Sequence, residues 1–363
     1  MRRRTSRLAL RVVVASLGAL SLAGCDDKPH ATSSTSAPSA SPSANAPIGI
    51  DPRLGAAMAA AASGAAPSGG GPQQKGGPPE SGVFAPGEAD KLALKGAPAK
   101  VELIDAGSAP RVEVAPAIDP AAKDQKAKLV VSVRTGIGGH DTVMPNVEYA
   151  LAFSGEKPKD RDVTEVMAKV VRAVPAANQP GALPQGLGDA LGKLKGTVVR
   201  FTLDKGGPAG FSFDRAKGAD KELDAALRPL ADAIALMIVP SPGKPVGVGA
   251  TWMASDRTTM LGIEVVRYRV YKVEKIEGDA VSLSVDARQY AADEKAFDIG
   301  GLPPGVNAAL EGFTSTGKGD ARVVAKSLLP ASGQTRESMQ VRLRAGQQRA
   351  VLQGELAVAL GAP

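Results

Sequence analysis

The sequence predicts an α+β protein that is mostly antiparallel β: a strongly curved sheet or half-open barrel with two helices packed on its apolar face. Three observations carry that expectation. Period-two alternation recurs, as in Val281, Leu283 and Val285 against Ser282, Ser284 and Asp286. Turn signals such as Lys205-Gly206-Gly207-Pro208 and Glu277-Gly278-Asp279 separate neighbouring runs. The order is strands, two segments of helical period, then strands again, which is not the alternation of a parallel sheet.

The chain has 363 residues, and its first 24 read as an export signal. Arg2, Arg3, Arg4, Arg7 and Arg11 precede the apolar run from Val12 to Ala23, which ends in small residues. Leu22-Ala23-Gly24-Cys25 resembles the lipobox of bacterial lipoproteins. The resemblance implies cleavage before Cys25 and acylation of that residue, the only cysteine in the chain. Two or more acyl chains hold a protein stably at a membrane, where one binds marginally. Elsewhere no apolar run approaches the roughly 18 residues of a membrane helix.

Residues 25–85 read as a disordered tether of Ser, Ala, Pro and Gly, which cannot bury enough apolar surface to offset its ordering entropy. Such a chain of roughly 60 residues spans on the order of 40 Å. A β-rich domain over 86–363 follows, with halves at 91–239 and 245–363.

In that domain, Val101–Ile104 and Arg111–Val114 read as a hairpin around Gly107-Ser108-Ala109-Pro110. Lys128–Arg134 and Val143–Phe153 read as strands. Val163–Val174 fits a helical period, yet its β-branched content and Pro175 favour a strand. Leu183, Leu187, Leu191 and Leu194 recur at helical spacing up to Gly196. Thr197–Leu203 and Phe211–Phe213 form a hairpin. Leu223, Leu227, Leu230, Ile234 and Met237 make the strongest helical stripe, with Pro229 expected to kink or split it. Val246–Trp252 leads into a hairpin with arms Ile263–Ile276 and Ala280–Tyr290. Gly319–Leu328, Gln334–Leu343 and Arg349–Val358 complete the strands, with turns at Ser332-Gly333 and Ala345-Gly346.

Charge excludes one class of partner. The formal +7 comes from 44 Lys+Arg and 37 Asp+Glu, but five of the basic residues and none of the acidic ones lie in the signal. The remainder is nearly neutral, so nucleic-acid binding loses its support. The catalytic signals also fail. Gly312-Phe313-Thr314-Ser315-Thr316-Gly317-Lys318-Gly319 spaces two glycines and a lysine like a phosphate loop, but Gly319 replaces the required hydroxyl. It reads as a polar turn between strands, and Gly136-Ile137-Gly138-Gly139 as a loop. His140 beside Asp141 has no Gly-x-Ser-x-Gly elbow to serve. Asp160/Asp162 and Asp293/Glu294 read as solvated turns. One histidine in the domain and no spare thiol exclude an ordinary zinc site, and no calcium loop occurs. No catalytic residue, metal or cofactor is expected. Trp252, the only tryptophan, reads first as a core anchor, like the Leu223–Met237 stripe. These six residues are also the candidates for lining a ligand groove.

Pro245-Val246-Gly247-Val248-Gly249-Ala250-Thr251-Trp252, then Tyr268-x-Val270 and Ile276-Glu277-Gly278-Asp279, resemble a pattern in an uncharacterised family of bacterial envelope lipoproteins. The resemblance spans roughly 128–358 and implies one β-rich domain behind a lipobox and a tether. That architecture resembles the half-open barrels of lipoprotein carriers, which hold acyl chains between a curved sheet and helices. The expected function is therefore a non-enzymatic protein of the cell envelope, anchored through acylated Cys25, with its domain in the periplasm. It would bind a hydrophobic ligand or a partner protein in a sheet–helix groove. A structural or assembly lipoprotein and a cryptic hydrolase are the alternatives.

Overall fold

The computed structural model describes residues 82–361 apart from 119–124, 138–139, 159–162, 218, 220–222, 296–307, 325–326 and 346. Cys25, the signal and nearly all of the tether lie outside the described residues, as does the Asp160/Asp162 pair. Among the described residues, thirteen strands join one antiparallel sheet. They are β1 (Lys100–Asp105), β2 (Gln125–Ile137), β3 (His140–Val143), β4 (Val147–Glu156), β5 (Thr164–Pro175), β6 (Val198–Asp204) and β7 (Gly207–Asp214). The second half adds β8 (Thr251–Met260), β9 (Ile263–Glu277), β10 (Ala280–Ala291), β11 (Ala308–Val324), β12 (Ser332–Ala345) and β13 (Gln348–Gly361). The path runs β1-β8-β9-β10-β11-β12-β13-β2-β4-β5-β6-β7, with β3 beside β2. The sheet is not closed, since its path ends at β1 and β7.

Three helices accompany the sheet: α1 (Glu88–Leu92), α2 (Leu187–Gly192) and α3 (Asp224–Met237). The main core joins α2 and α3 to strands from both halves of the sheet, including β2, β4, β5, β6, β9, β11, β12 and β13. The other face of β9 is covered separately. Val266, Tyr268 and Val270 pack there with Phe84 and with Ala89 of α1. The central part of β9, Val265–Tyr271, is thus buried on both faces, its two arginines included. Phe84, placed by composition in the tether, belongs to the fold. It is 5% exposed, and its N–H donates to the Ala291 carbonyl at 3.0 Å.

Several elements differ from expectation for local reasons. Val101–Ile104 and Arg111–Val114 do not pair with each other. Instead β1 pairs with β8, while Val112 exchanges backbone hydrogen bonds with Val246. Gly107, at φ +70°, packs where an added Cβ would lie 2.5 Å from the Gly247 carbonyl oxygen. This turns the chain toward 246–248 instead of back along β1. The Val143–Phe153 run breaks at Met144-Pro145-Asn146 into β3 and β4. The mixed period of β5 comes from a bulge: Ala150 pairs with Arg172 but Leu151 with Val170, leaving Val171 extra and exposed. The four-leucine stripe yields only the six-residue α2. Gly186 before it has φ +78°, and Leu183 is exposed.

The glycine-rich 312–319 segment is no turn. It lies inside the 17-residue β11. Its glycines leave room for neighbours on adjoining strands. A Cβ at Gly317 would lie 2.8 Å from the Ala287 Cβ and 3.0 Å from the Glu337 Cγ. One at Gly319 would meet the Gln334 carbonyl oxygen at 2.6 Å.

Candidate functional site

The site is built around α3. Leu223, Leu227, Leu230, Ile234 and Met237, all at most 5% exposed, lie together in the main core. Trp252 is fully buried in a second cluster with Tyr271, Val246 and Val239. The six groove candidates are thus buried among protein side chains, the five stripe residues in one cluster and Trp252 in the next. The helix passes through Pro229 without splitting. Pro229 has no N–H to give the turn before it. The Tyr149 hydroxyl donates to the Ala226 carbonyl at 3.0 Å, one residue beyond the Ala225 carbonyl that lacks this donor.

The other end of α3 is held from the opposite half of the sheet. Arg269 on β9 donates from Nη1 to the Ala235 carbonyl at 3.1 Å. Ala235 is among the last four residues of the helix, whose carbonyls lack intrahelical partners and carry the negative end of its dipole. The Trp252 indole N–H donates to the Pro240 carbonyl at 3.1 Å, and its ring stacks on Tyr271 with centroids 5.2 Å apart. The Arg269 guanidinium carbon lies 5.9 Å from the Tyr271 ring centroid. Beyond the helix, Ile238–Ser241 is tied by hydrogen bonds to β8 and to the β6–β7 turn. The Ser241 N–H donates to Lys205 in the β6–β7 turn, while Pro240 receives Trp252 of β8.

Beneath α3 the sheet carries a buried charged layer. Arg267 grips Asp256 with two hydrogen bonds, Nε at 3.0 Å and Nη2 at 2.6 Å. Arg269 Nη2 is 3.6 Å from the same carboxylate. Gln289 donates to Glu337 at 2.5 Å. Strand register explains how the layer fits. Ala254, Arg269, Ala287, Gly317 and Glu337 form one row across β8 to β12. Arg269 and Glu337 are about 14 Å apart at the backbone by strand spacing. The small residues between them leave room for both long side chains to lie flat under the helix.

Ionisation follows from this packing. Burial opposes the charge of Asp256, but the Arg267 and Arg269 charges and the Arg267 hydrogen bonds hold its carboxyl below the ordinary range. Burial pushes the Glu337 carboxyl up, with the two arginines only partly offsetting it. Asp232, on α3 itself, is pushed up to about 7 by burial; Arg267 and Arg228 pull against this and Glu337 adds to it. Buried side-chain polar atoms without a hydrogen-bond partner among the described residues include Arg269 Nε, Tyr271 Oη, Gln289 Oε1 and Ser315 Oγ, and also Tyr268 Oη on the other face of β9.

The layer escaped sequence reading because its charges sit in phase with apolar residues. Arg267 and Arg269 share a face of β9 with Val265, Tyr271 and Val273, and Glu337 shares one of β12 with Met339 and Val341. That phase is the signal that could have found them, since it places ions on a core-facing row. The residues weighed as catalytic do not gather here. His140 and Asp141 lie on β3, and Asp293 caps a turn by accepting from the Lys295 N–H at 2.6 Å. No group of three or more metal-ligating side chains occurs among the described residues. No helix among them is long and apolar enough to cross a membrane.

On the opposite sheet face, β11, β12, β13 and β2 carry two open concavities of about 480 and 460 Å³ with mixed polar and apolar linings. Thr314, Thr316, Ser338 and Gln353 line the first, and Lys318, Gln334 and Arg336 the second. No protein-family model and no curated protein matches this chain.

Proposed function

We propose that the chain is a non-enzymatic lipoprotein of the bacterial cell envelope, anchored through acylated Cys25. Its sheet curls as a half-open barrel around α3, with α2 at its side. A hydrophobic ligand binds between sheet and helix. The single observation that supports this reading is the seat of α3. An apolar helix lies in a core drawn from both halves of an open sheet, and named polar ties hold it at its two ends. Its extension 238–241 is tied to β8 and to the β6–β7 turn, and movement there would uncover the apolar interior. The lipobox and the Ser/Ala/Pro/Gly segment behind it support the anchor and the tether. The family resemblance over 128–358 agrees with both.

Native mass spectrometry of the full chain extracted from membranes in mild detergent tests both parts. The expected masses are those of a chain starting at acylated Cys25, partly carrying a non-covalent amphiphile. An unmodified, uncleaved N-terminus overturns the anchor. A chain that stays bare after incubation with long-chain lipids overturns the ligand.

A second reading, an assembly lipoprotein, draws on the two open concavities of the outer sheet face. A stable protein partner crosslinked at Thr316 or Gln353, with no co-purified lipid, would favour it.

A further inference from the structure

The face of the sheet turned away from α3 carries cations that the ligand reading leaves unused. We infer that the outer face of β2, β4 and β5 docks on the phosphate plane of an anionic bilayer, through Lys126, Lys128, Lys169 and Arg172. This inference rests on the proposed anchor at Cys25, which supplies the membrane, and does not need the ligand groove.

Strand register gathers the cations. Lys126 of β2 stands opposite Ala152 of β4, which stands opposite Lys169 of β5. In the next row of the same face, Lys128, Ala150 and Arg172 repeat the pattern. Strand geometry puts the two lysines of β2 about 7 Å apart, and each about 10 Å from the cation across β4. Lys126, Lys169 and Arg172 are exposed and Lys128 is half-buried. Among the described residues the three lysines make no ion pair, and Arg172 is held by Glu148 at 2.7 Å. Like charges gathered beside so few acids repel one another, and a surface of anions relieves that repulsion.

The ground between the cations is apolar. An antiparallel strand with one solvated face alternates apolar and polar residues. Here β4 departs from that rule. Leu151 and Phe153 lie in the main core, yet Ala150 and Ala152 occupy the other face. Ala152 is 8% exposed and belongs outside that core. Val130 and Val174 extend the apolar floor on either side of Glu148. The bulge in β5 leaves Val171, 45% exposed, between Lys169 and Arg172 in the chain. Lysine stems lie well on such a floor while their ammonium groups reach outward. Cations beside exposed apolar groups are the chemistry of a bilayer interface.

The anchor decides which anion the face meets. Spaced this widely, the cations cannot close on one phosphate, whereas neighbouring lipid headgroups can each take one. Each cation near an anionic leaflet strengthens association about fivefold, so four make a weak surface on their own. A tethered domain meets the membrane as an intramolecular partner, and a weak second contact then suffices.

Lysine acetylation rates test the face. The full chain is held by its anchor in vesicles of phosphatidylglycerol with phosphatidylcholine, or of phosphatidylcholine alone. A water-soluble acetylating reagent is added, and the rate at each lysine is read by mass spectrometry. In the anionic vesicles Lys126, Lys128 and Lys169 should react about 5- to 20-fold more slowly than in the neutral ones. Lys275 on β9, whose side chain is 65% exposed, should react equally in both. High salt should abolish the difference. Lys126→Gln with Lys169→Gln changes exposed positions only and should keep the fold. It should weaken association about 25-fold and return Lys128 to its neutral-vesicle rate.

Equal rates in the two vesicles overturn the docking face. Slowing of Lys275 to the same degree overturns it too, since the whole domain would then be shielded. Protection by inorganic phosphate in neutral vesicles overturns the bilayer in favour of a free anion. Protection by polyglutamate, with none from lipid, overturns it in favour of an acidic polypeptide. An intact mass without acyl groups overturns the anchor alone, and the same rates with vesicles in excess then decide the face.

Discussion

Replacing Asp232 by Asn isolates the carboxylate that α3 itself brings to the charged layer. Burial raises its pKa from 3.8 to about 7, so across that interval the folded protein binds a proton that the unfolded chain has released. Stability must then fall as pH rises through the interval, because proton uptake favours the folded state. At about 1.4 kcal/mol per unit, the displacement corresponds to about 4 kcal/mol of folded-state cost once Asp232 is fully ionised. Asp232 is only half-buried as a residue, and water at its open side reduces the cost to about 2–4 kcal/mol. Asn has nearly the same shape and never ionises. The variant should match the wild type near pH 4 and exceed it by about 2–4 kcal/mol at pH 8. Urea unfolding from pH 4 to 8, followed by Trp252 emission, measures the difference directly. Glu337 titrates in the same direction but is present in both proteins, so it cancels to first order. Parallel stability profiles would refute the reasoning. A wild type that gains on Asn with rising pH would show Asp232 to be paired with Arg267 or Arg228 as a stabilising ion.

Two other substitutions test the packing. Gly317→Ala puts a methyl 2.8 Å from Ala287 Cβ and 3.0 Å from Glu337 Cγ, and should cost about 1–3 kcal/mol in urea unfolding. Ala287→Gly in the same chain should recover part of that loss. Lys95→Ala removes an ion pair to Glu264 at 2.8 Å whose lysine is 70% exposed. It should change stability by less than about 1 kcal/mol, with any effect vanishing at high salt.

The antiparallel class, the β6–β7 and β9–β10 hairpins and α3 were legible because each rests on local chemistry. A Gly-containing turn between alternating runs, or a stripe at helical spacing, carries its own instruction. What resisted reading depends on partners distant in sequence. The β1–β8 pair joins residues about 150 positions apart, and nothing within Val101–Ile104 distinguishes that partner from Arg111–Val114. The glycines of β11 look like a loop until Arg342, Glu337 and Thr335 are seen packing over them from β12. Each glycine answers a side chain on another strand, and turn rules read only neighbours in sequence. The same holds for the site. The stripe of α3 named its own buried face, but Asp256, Arg267, Gln289 and Glu337 acquire meaning only as register aligns their strands. Sequence reading found the helix and missed its seat.

Why the seat is charged is a question of energy against specificity. An apolar stripe on an apolar sheet would bury as much surface if α3 slid by one turn, so hydrophobic burial fixes its position weakly. The polar ties are directional: Tyr149 meets one carbonyl and Arg269 another, nine residues on. Such a layer need not add stability, since desolvating two arginines and their acids offsets their attraction. A paired substitution follows. Asp256→Leu alone leaves Arg267 buried without its bidentate partner and should cost about 3–5 kcal/mol. Asp256→Leu with Arg267→Met removes both charges and should restore most of that loss, a coupling of about 2 kcal/mol or more in a double-mutant cycle. Additive losses would mean that the ions stabilise the fold through groups other than each other. The stable double variant should nevertheless show a broadened Trp252 emission, because α3 would keep its burial and lose part of the layer that fixes its seat.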